Sequence, residues 1–305
     1  VTRPRLRHFL VALDGSRLSE ASLPVACSLA RALQARLTLV HVLELRPPET
    51  VHGEPHLQDA ESAGRYLGEL ARRLEERGLA AEVRVFPGPA ADVAASIASL
   101  AEQLAADVVV VAAHGWGGLR ARLMGHVPQQ VLVRSSRPVL LVPAPATLPA
   151  EEVRCVLVPV DPGGEARAAL PWAEEVARAC GARLHLVTVV PTPATVGGEG
   201  AVTAVFLPQA TGAVLDLASE AARSMLDELR ASLAARGVAA EVEVRRGEVV
   251  HELAIVVAGR RPDLMVLATH ARGGWDSFWA GSVAARLVPT IAVPVLLVPV
   301  RGAAG

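Results

Sequence analysis

Apolar residues in this chain gather in short runs with a recurring rhythm. Five runs in the first half, near 8–13, 36–43, 81–86, 107–112 and 138–142, are continuous in Val, Leu and Ala. Such runs do not alternate with polar residues, so they predict strands covered on both faces, as in a parallel sheet sandwiched by helices. Between them lie longer stretches with apolar residues at helical spacing, near 19–34, 57–77, 90–104 and 125–134. Strand and helix in alternation predict an α/β layer. Glu76-Arg77-Gly78 and Ala235-Arg236-Gly237 read as helix stops, with glycine just past the end.

The whole pattern then occurs again. His8 to Ser16 (HFLVALDGS) matches Cys155 to Gly163 (CVLVPVDPG), and ARLTLVHVLE from Ala35 matches ARLHLVTVVP from Ala182, both at an offset of 147. Asp107 to Gly118 (DVVVVAAHGWGG) matches Asp263 to Gly274 (DLMVLATHARGG), and RPVLLVPA from Arg137 matches VPVLLVPV from Val293, now at 156. The second copy therefore holds a net insertion of nine residues. It is expected in a long Gly/Pro/Thr-containing loop between Pro191 and Gly212. The proline-rich stretch PAPATLPAE, Pro143 to Glu151, reads as an extended linker. It divides the chain near residue 148 into units 1–147 and 152–305.

Composition narrows the functions available. All 30 basic residues are Arg against 31 acidic ones, a net charge of −1, with no basic run. Neither the balance nor the patterning suits nucleic acid. Without lysine there is no Walker-type phosphate lysine and no Schiff base. Cys27, Cys155 and Cys180 match no zinc or redox spacing and read as small buried hydrophobes in a reducing cytoplasm. The N-terminal apolar stretch is short and broken by Asp14, and no run of eighteen apolar residues occurs, so neither signal peptide nor membrane span is expected.

Ligands of open parallel sheets bind at the carboxyl ends of the strands, near the switch point of the strand order. Strand 1 ends in Asp14 or Asp161, strand 2 in His41-Val42 or Thr188-Val189, and strand 4 in a Gly-rich turn, Ala112 to His126 or Ala268 to Ser282. An aspartate there can accept from a ribose or an amine, or can simply order its turn. Glycines let backbone approach an anion, and Gly281-Ser282 opens a helix whose free N–H groups favour phosphate; the alternative is Ser282 as a plain N-cap. His114 and His270 recur in the turns, as phosphate donors or braces, while Trp116, Trp275 and Trp279 read as packing. His52 and His56 stand four apart, but Pro47, Pro48, Gly53 and Pro55 make this a solvated loop rather than a metal-binding helix face. No nucleophile elbow, His-Glu-x-x-His motif or Mg²⁺-binding carboxylate cluster supports a catalyst.

The segments FLVALDGSRLSEASLPVACSLA, LVHV, VVVVAAHGWGGLRARLMG and RPVLLVP resemble a universal stress protein domain. So do VLVPVDPGGEARAALPWAEEVA and MVLATHARGGWDSFWAGSVAARLV in the second half. The resemblance implies two doubly wound, five-stranded parallel-sheet domains of the adenine nucleotide alpha hydrolase type, packed through their last strands as an intrachain pseudo-dimer. It also implies a cytoplasmic stress-response protein that senses adenine nucleotide, ATP foremost and possibly with Mg²⁺, rather than an enzyme. Nucleoside contacts would fall on Asp14 and Val42, and on Asp161 and Val189. The family's phosphate turn, Gly, two residues, Gly, nine residues, Gly, then Ser or Thr, falls on Ala112, Gly115, Gly125 and His126. In the second half it falls on Ala268, Ala271, Gly281 and Ser282. Gly118, Gly274 and Val283 complete the two expected sets. Each copy departs from the pattern at two places, so the alternative is an interaction module without nucleotide, pairing with itself or another protein.

Overall fold

The computed structural model describes residues 4–90, 92–113, 126–144, 152–161, 168–196, 206–270 and 282–300. The first half runs β1 (His8–Ala12), α1 (Arg17–Glu20), α2 (Leu23–Leu33), β2 (Arg36–Glu44), β3 (Thr50–Val51), β4 (Glu54–Pro55), α3 (Ala60–Glu75), β5 (Ala81–Ala90), α4 (Val93–Gln103), β6 (Val108–Ala113), α5 (His126–Arg134) and β7 (Val139–Pro143). The second runs β8 (Cys155–Pro159), α6 (Leu170–Cys180), β9 (Arg183–Val190), α7 (Pro208–Ala234), β10 (Ala240–Arg246), α8 (Val249–Arg260), β11 (Leu264–His270), α9 (Val283–Leu287), a 3₁₀ turn (Val288–Thr290) and β12 (Val295–Val300).

Ten strands form one sheet in the order β10-β9-β8-β11-β12-β7-β6-β1-β2-β5. Pairing within each half is parallel, with a switch point between β1 and β6, or β8 and β11. The halves join edge to edge: β12 meets β7 antiparallel, Val295 opposite Leu141, Leu296 opposite Leu140 and Leu297 opposite Val139. The two halves thus form the intrachain pseudo-dimer. Because side chains alternate along a strand, each run feeds two cores. Phe9, Val11, Leu140, Leu184 and Leu186 pack on one face with α2, α3, α6 and α7. Leu10, Leu141, Leu157 and Leu297 pack on the other with α4, α5, α8 and α9. Both layers continue across the joint.

A matched clamp ties strand 1 to strand 4 at the amino ends of these strands in each half. Asp107 Oδ2 accepts from the backbone amides of Arg7 (2.7 Å) and His8 (2.9 Å). Asp263 Oδ2 accepts from those of Arg154 (2.8 Å) and Cys155 (2.9 Å). Arg7 and Arg154 stand at the same repeat position, as do His8 and Cys155, so the duplication preserved the bonds even where the residue donating its amide changed.

Three expectations are corrected. The helix over 19–34 is two helices, α1 and α2, because the Pro24 ring would strike the carbonyl of residue 20 and has no N–H to give the helix. The loop expected to reach Gly212 ends at Leu207. From Pro208 the inserted residues join a 27-residue helix, against 16 in its counterpart α3. The expected solvated loop at His52 and His56 is a β3–β4 hairpin with a buried His56, 6% exposed. Its two-residue turn, His52-Gly53, takes positive φ at both residues (51° and 81°), the twist that suits adjoining strands and that Gly53 adopts without strain.

Candidate functional site

At the switch point of the first half, the carboxyl ends of β1, β2 and β6 open into a cavity of 240 Å³. Asp14 closes β1. Its Oδ1 accepts from the Ser16 amide (2.9 Å) and hydroxyl (2.7 Å), which orders the turn into α1. Burial pushes the carboxyl up, but the Ser16 bonds outweigh it and hold Asp14 below the usual carboxylate range. The other oxygen, Oδ2, stands 3.5 Å from His52 Nε2. Gly15, next in the chain, has φ +93°, and a Cβ there would lie 2.9 Å from Leu57 Cγ, so this loop and the chain after the hairpin pack directly together.

His41, on β2, is 2% exposed. Its Nδ1 lies 2.8 Å from the Leu13 carbonyl, which can only accept, so Nδ1 carries the proton. Burial holds the ring below the usual histidine pKa, leaving Nε2 as a lone-pair acceptor. Nε2 has no hydrogen-bond partner among the described residues. The His56 ring stacks obliquely at 5.8 Å, and its Nε2 sits 3.4 Å from Glu44 Oε1. Val51, His52 and His56 of the hairpin segment thus line the cavity opposite an apolar wall that includes Val42, Ile97, Val111 and Ala112. The structure brings Asp14, His41, Val42 and Ala112 together at this cavity, with Glu44, His52 and His56 beside them.

The second half repeats the plan with different side chains. Thr188 replaces His41, and its hydroxyl donates to the Val160 carbonyl (2.7 Å), the counterpart of Leu13. Asp161, Val189, Ala268, Ser282 and Val283 line a cavity of 390 Å³ there. Thr269, in the same wall, has a buried hydroxyl without a partner among the described residues. Ser282 Oγ accepts from the Ala285 amide (3.0 Å), so it caps α9. Gly115, Gly118, Gly125, Gly274, Gly281, His114, Ala271, Trp116, Trp275, Trp279 and the side chains of His126 and His270 lie outside the described residues.

Thiol chemistry finds no support at either cavity. Burial pushes the Cys27 and Cys180 thiols up to about 11, and Cys155 is raised as well, away from the thiolate a nucleophile needs. Among the described residues no helix is long and apolar enough to cross a membrane.

The buried histidines set a pH dependence. His8, bound to Thr38 Oγ1 at 2.8 Å, is also held below the usual histidine pKa, by burial first and by the Arg36 charge. Between the folded and unfolded values the unfolded chain binds more protons, so stability rises with pH there. The contribution of both rings is complete above about pH 6.5 and is lost as pH falls below it, by up to ~1.4 kcal/mol per pH unit for each ring. Urea midpoints should fall between pH 7.5 and 5.5. His41→Thr, which borrows the Thr188 arrangement, should flatten that fall; an unchanged slope would refute the assignment to His41.

A model of the universal stress protein family matches residues 5–143 and again 152–299. Universal stress protein YxiE of Bacillus subtilis (strain 168) is 28% identical over 145 residues, 44% of this chain and 96% of that protein. Two solved structures share the fold over nearly the full length. One is a universal stress protein from Archaeoglobus fulgidus DSM 4304, with TM-score 0.66, 19% identity and 96% of each chain covered. The other is a functionally unknown protein from Pseudomonas aeruginosa PAO1, with TM-score 0.69 and 18% identity, covering 96% of this chain and 92% of that one. With both halves matched and one sheet running through them, this chain belongs to the universal stress protein family as a tandem pair of its domains.

Proposed function

We propose that this chain is a cytoplasmic stress-response regulator that binds an adenine nucleotide, ATP with Mg²⁺ foremost, in at least one of its two pseudo-symmetric cavities, and that it acts as a sensor rather than a catalyst. Each site belongs to its own unit, 1–147 or 152–305. The observation that carries this reading is the first cavity. It sets an ionised carboxylate, Asp14, and an unsatisfied neutral acceptor, His41 Nε2, into otherwise apolar walls at the switch point. A flat heterocycle fits the walls, and its amine and sugar hydroxyls supply the donors that a buried acceptor needs. Asp14 and Val42 hold the nucleoside in one half and Asp161 and Val189 in the other, and Ala112 and Ala268 begin the two phosphate turns. Gly115, Gly118, Gly125 and His126, or Gly274, Gly281, Ser282 and Val283, meet the phosphates.

One observation favours the second reading, an interaction module without nucleotide: the Ser282 hydroxyl oxygen is already engaged by its own helix. Mass spectrometry of small molecules released from acid-precipitated protein, followed by titration calorimetry with ATP and Mg²⁺, separates the two. A released adenine nucleotide, or uptake of added ATP, supports binding. Asp14→Ala or Asp161→Ala should then weaken the occupied site at least tenfold, a loss of ~1.4 kcal/mol or more. Neither release nor uptake leaves the interaction module.

A further inference from the structure

Helix α7 has more apolar surface than its own domain covers. Leu215, Ala222, Leu226 and Leu233 are buried, and α7 packs on β9 and β10. A second stripe, Leu207, Ala210, Val214, Leu217, Ala221 and Ser224, begins at the residue before the helix and points to solvent. Its spacing of three and four residues is the seam of a two-helix coil. Among the described residues, four of the six exposed large apolar side chains sit at this end of α7: Phe206 (77%), Leu207 (58%), Val214 (63%) and Leu217 (65%). Asp216, Glu220, Arg223 and Asp227 occupy a third face. One apolar stripe suffices to fix a helix on a sheet; a second, without charge, is left exposed to solvent among the described residues.

We propose that the outer stripe of α7 is the contact for a second copy of this chain, packed antiparallel about a two-fold axis. The stripe is self-complementary about a point between Leu215 and Asp216. Val214 then meets Leu217 of the other copy, and Ala210 meets Ala221, so large faces large at the centre and the small pair lets the backbones approach. Asp216 is the charge nearest the axis, and Arg246 neutralises it at 2.8 Å, which removes the repulsion between the two copies' aspartates. Pairing through last strands is closed to a second copy, because β7 and β12 pair with each other. The two free edges carry charges that discourage strand addition, Glu241, Glu243, Arg245 and Arg246 on β10 and Glu82 and Arg84 on β5. The seam is ~27 Å long at 1.5 Å per residue, short for a permanent interface of 1,200 Å² or more. The dimer is therefore weak, with a dissociation constant on the order of 10–100 µM.

Sedimentation of the full chain from about 1 to about 200 µM reads this directly, over the range that brackets a weak interface. The expected result is a mass that rises from one chain toward two, with Leu217→Glu at least tenfold weaker in association and unchanged in its urea midpoint. Orientation is read by cysteine cross-linking. A mixture of Val214→Cys and Leu217→Cys chains should cross-link faster than either alone. A chain that stays monomeric throughout, or a dimer indifferent to Leu217→Glu, overturns the proposal. Cross-linking faster within each variant than between them overturns the antiparallel arrangement. None of these results depends on whether nucleotide binds.

Discussion

Leu140→Asp is expected to unfold both halves of the chain together. Leu140 is fully buried on β7, opposite Leu296 of β12 on one side and Val110 of β6 on the other. An ionised carboxylate there has no partner, and the cost of burying it, upward of ~4 kcal/mol, rivals the 5–15 kcal/mol by which ordinary domains are stable. Leu140→Ala removes only packing, for about 2–5 kcal/mol. The apolar layer that holds Leu140 contains residues from both halves, including Val156, Leu184 and Leu226, so damage at the joint reaches both. Urea titration followed by circular dichroism checks this. One transition displaced as a whole is the expected outcome; a second-half transition left at its original midpoint would show that the halves are independent.

The second large effect is expected at the clamps. Asp107→Ala strands two backbone amides that now donate to one ionised oxygen at 2.7 and 2.9 Å. Hydrogen bonds to a charged group contribute about 1.5–3 kcal/mol each, and water reaches the Arg7 amide, so the expected loss is ~2–4 kcal/mol. Asp263→Ala should cost about as much, because its distances repeat those of Asp107. Asp107→Asn keeps an acceptor without the charge and should fall between. A loss below ~0.5 kcal/mol in either alanine variant would place it with ordinary surface substitutions and remove the clamp from the account.

These two sites also show what a linear reading recovers. Val108 to Val111 is legible as a buried strand because a run of four valines fits nowhere else so well, and both of its faces are indeed covered. The repeat then doubles every inference. Asp14, Val42 and Ala112 were reachable because each ends a strand, and the switch-point rule gathers strand ends. His52 and His56 were not, for a physical reason. Their place in the cavity wall depends on a short hairpin folding back over the sheet, and the prolines around it argue locally for an irregular loop. The cue lay in the two residues His52-Gly53 between Val51 and Glu54, a turn signal only when a second strand is already suspected. The inserted residues misled in the opposite direction. Thr211 and Gly212 favour a loop locally, yet the helix runs through them because Leu215, Ala222 and Leu226 anchor the turns that follow on the sheet.

The antiparallel joint has one further consequence. Strands within each half run the same way, and the halves run opposite ways, so the two cavities open on opposite rims of the sheet. No single small molecule can bridge them, and a protein seated over one mouth leaves the other accessible. Any communication between the two mouths along the sheet must cross the three residue pairs where β7 meets β12.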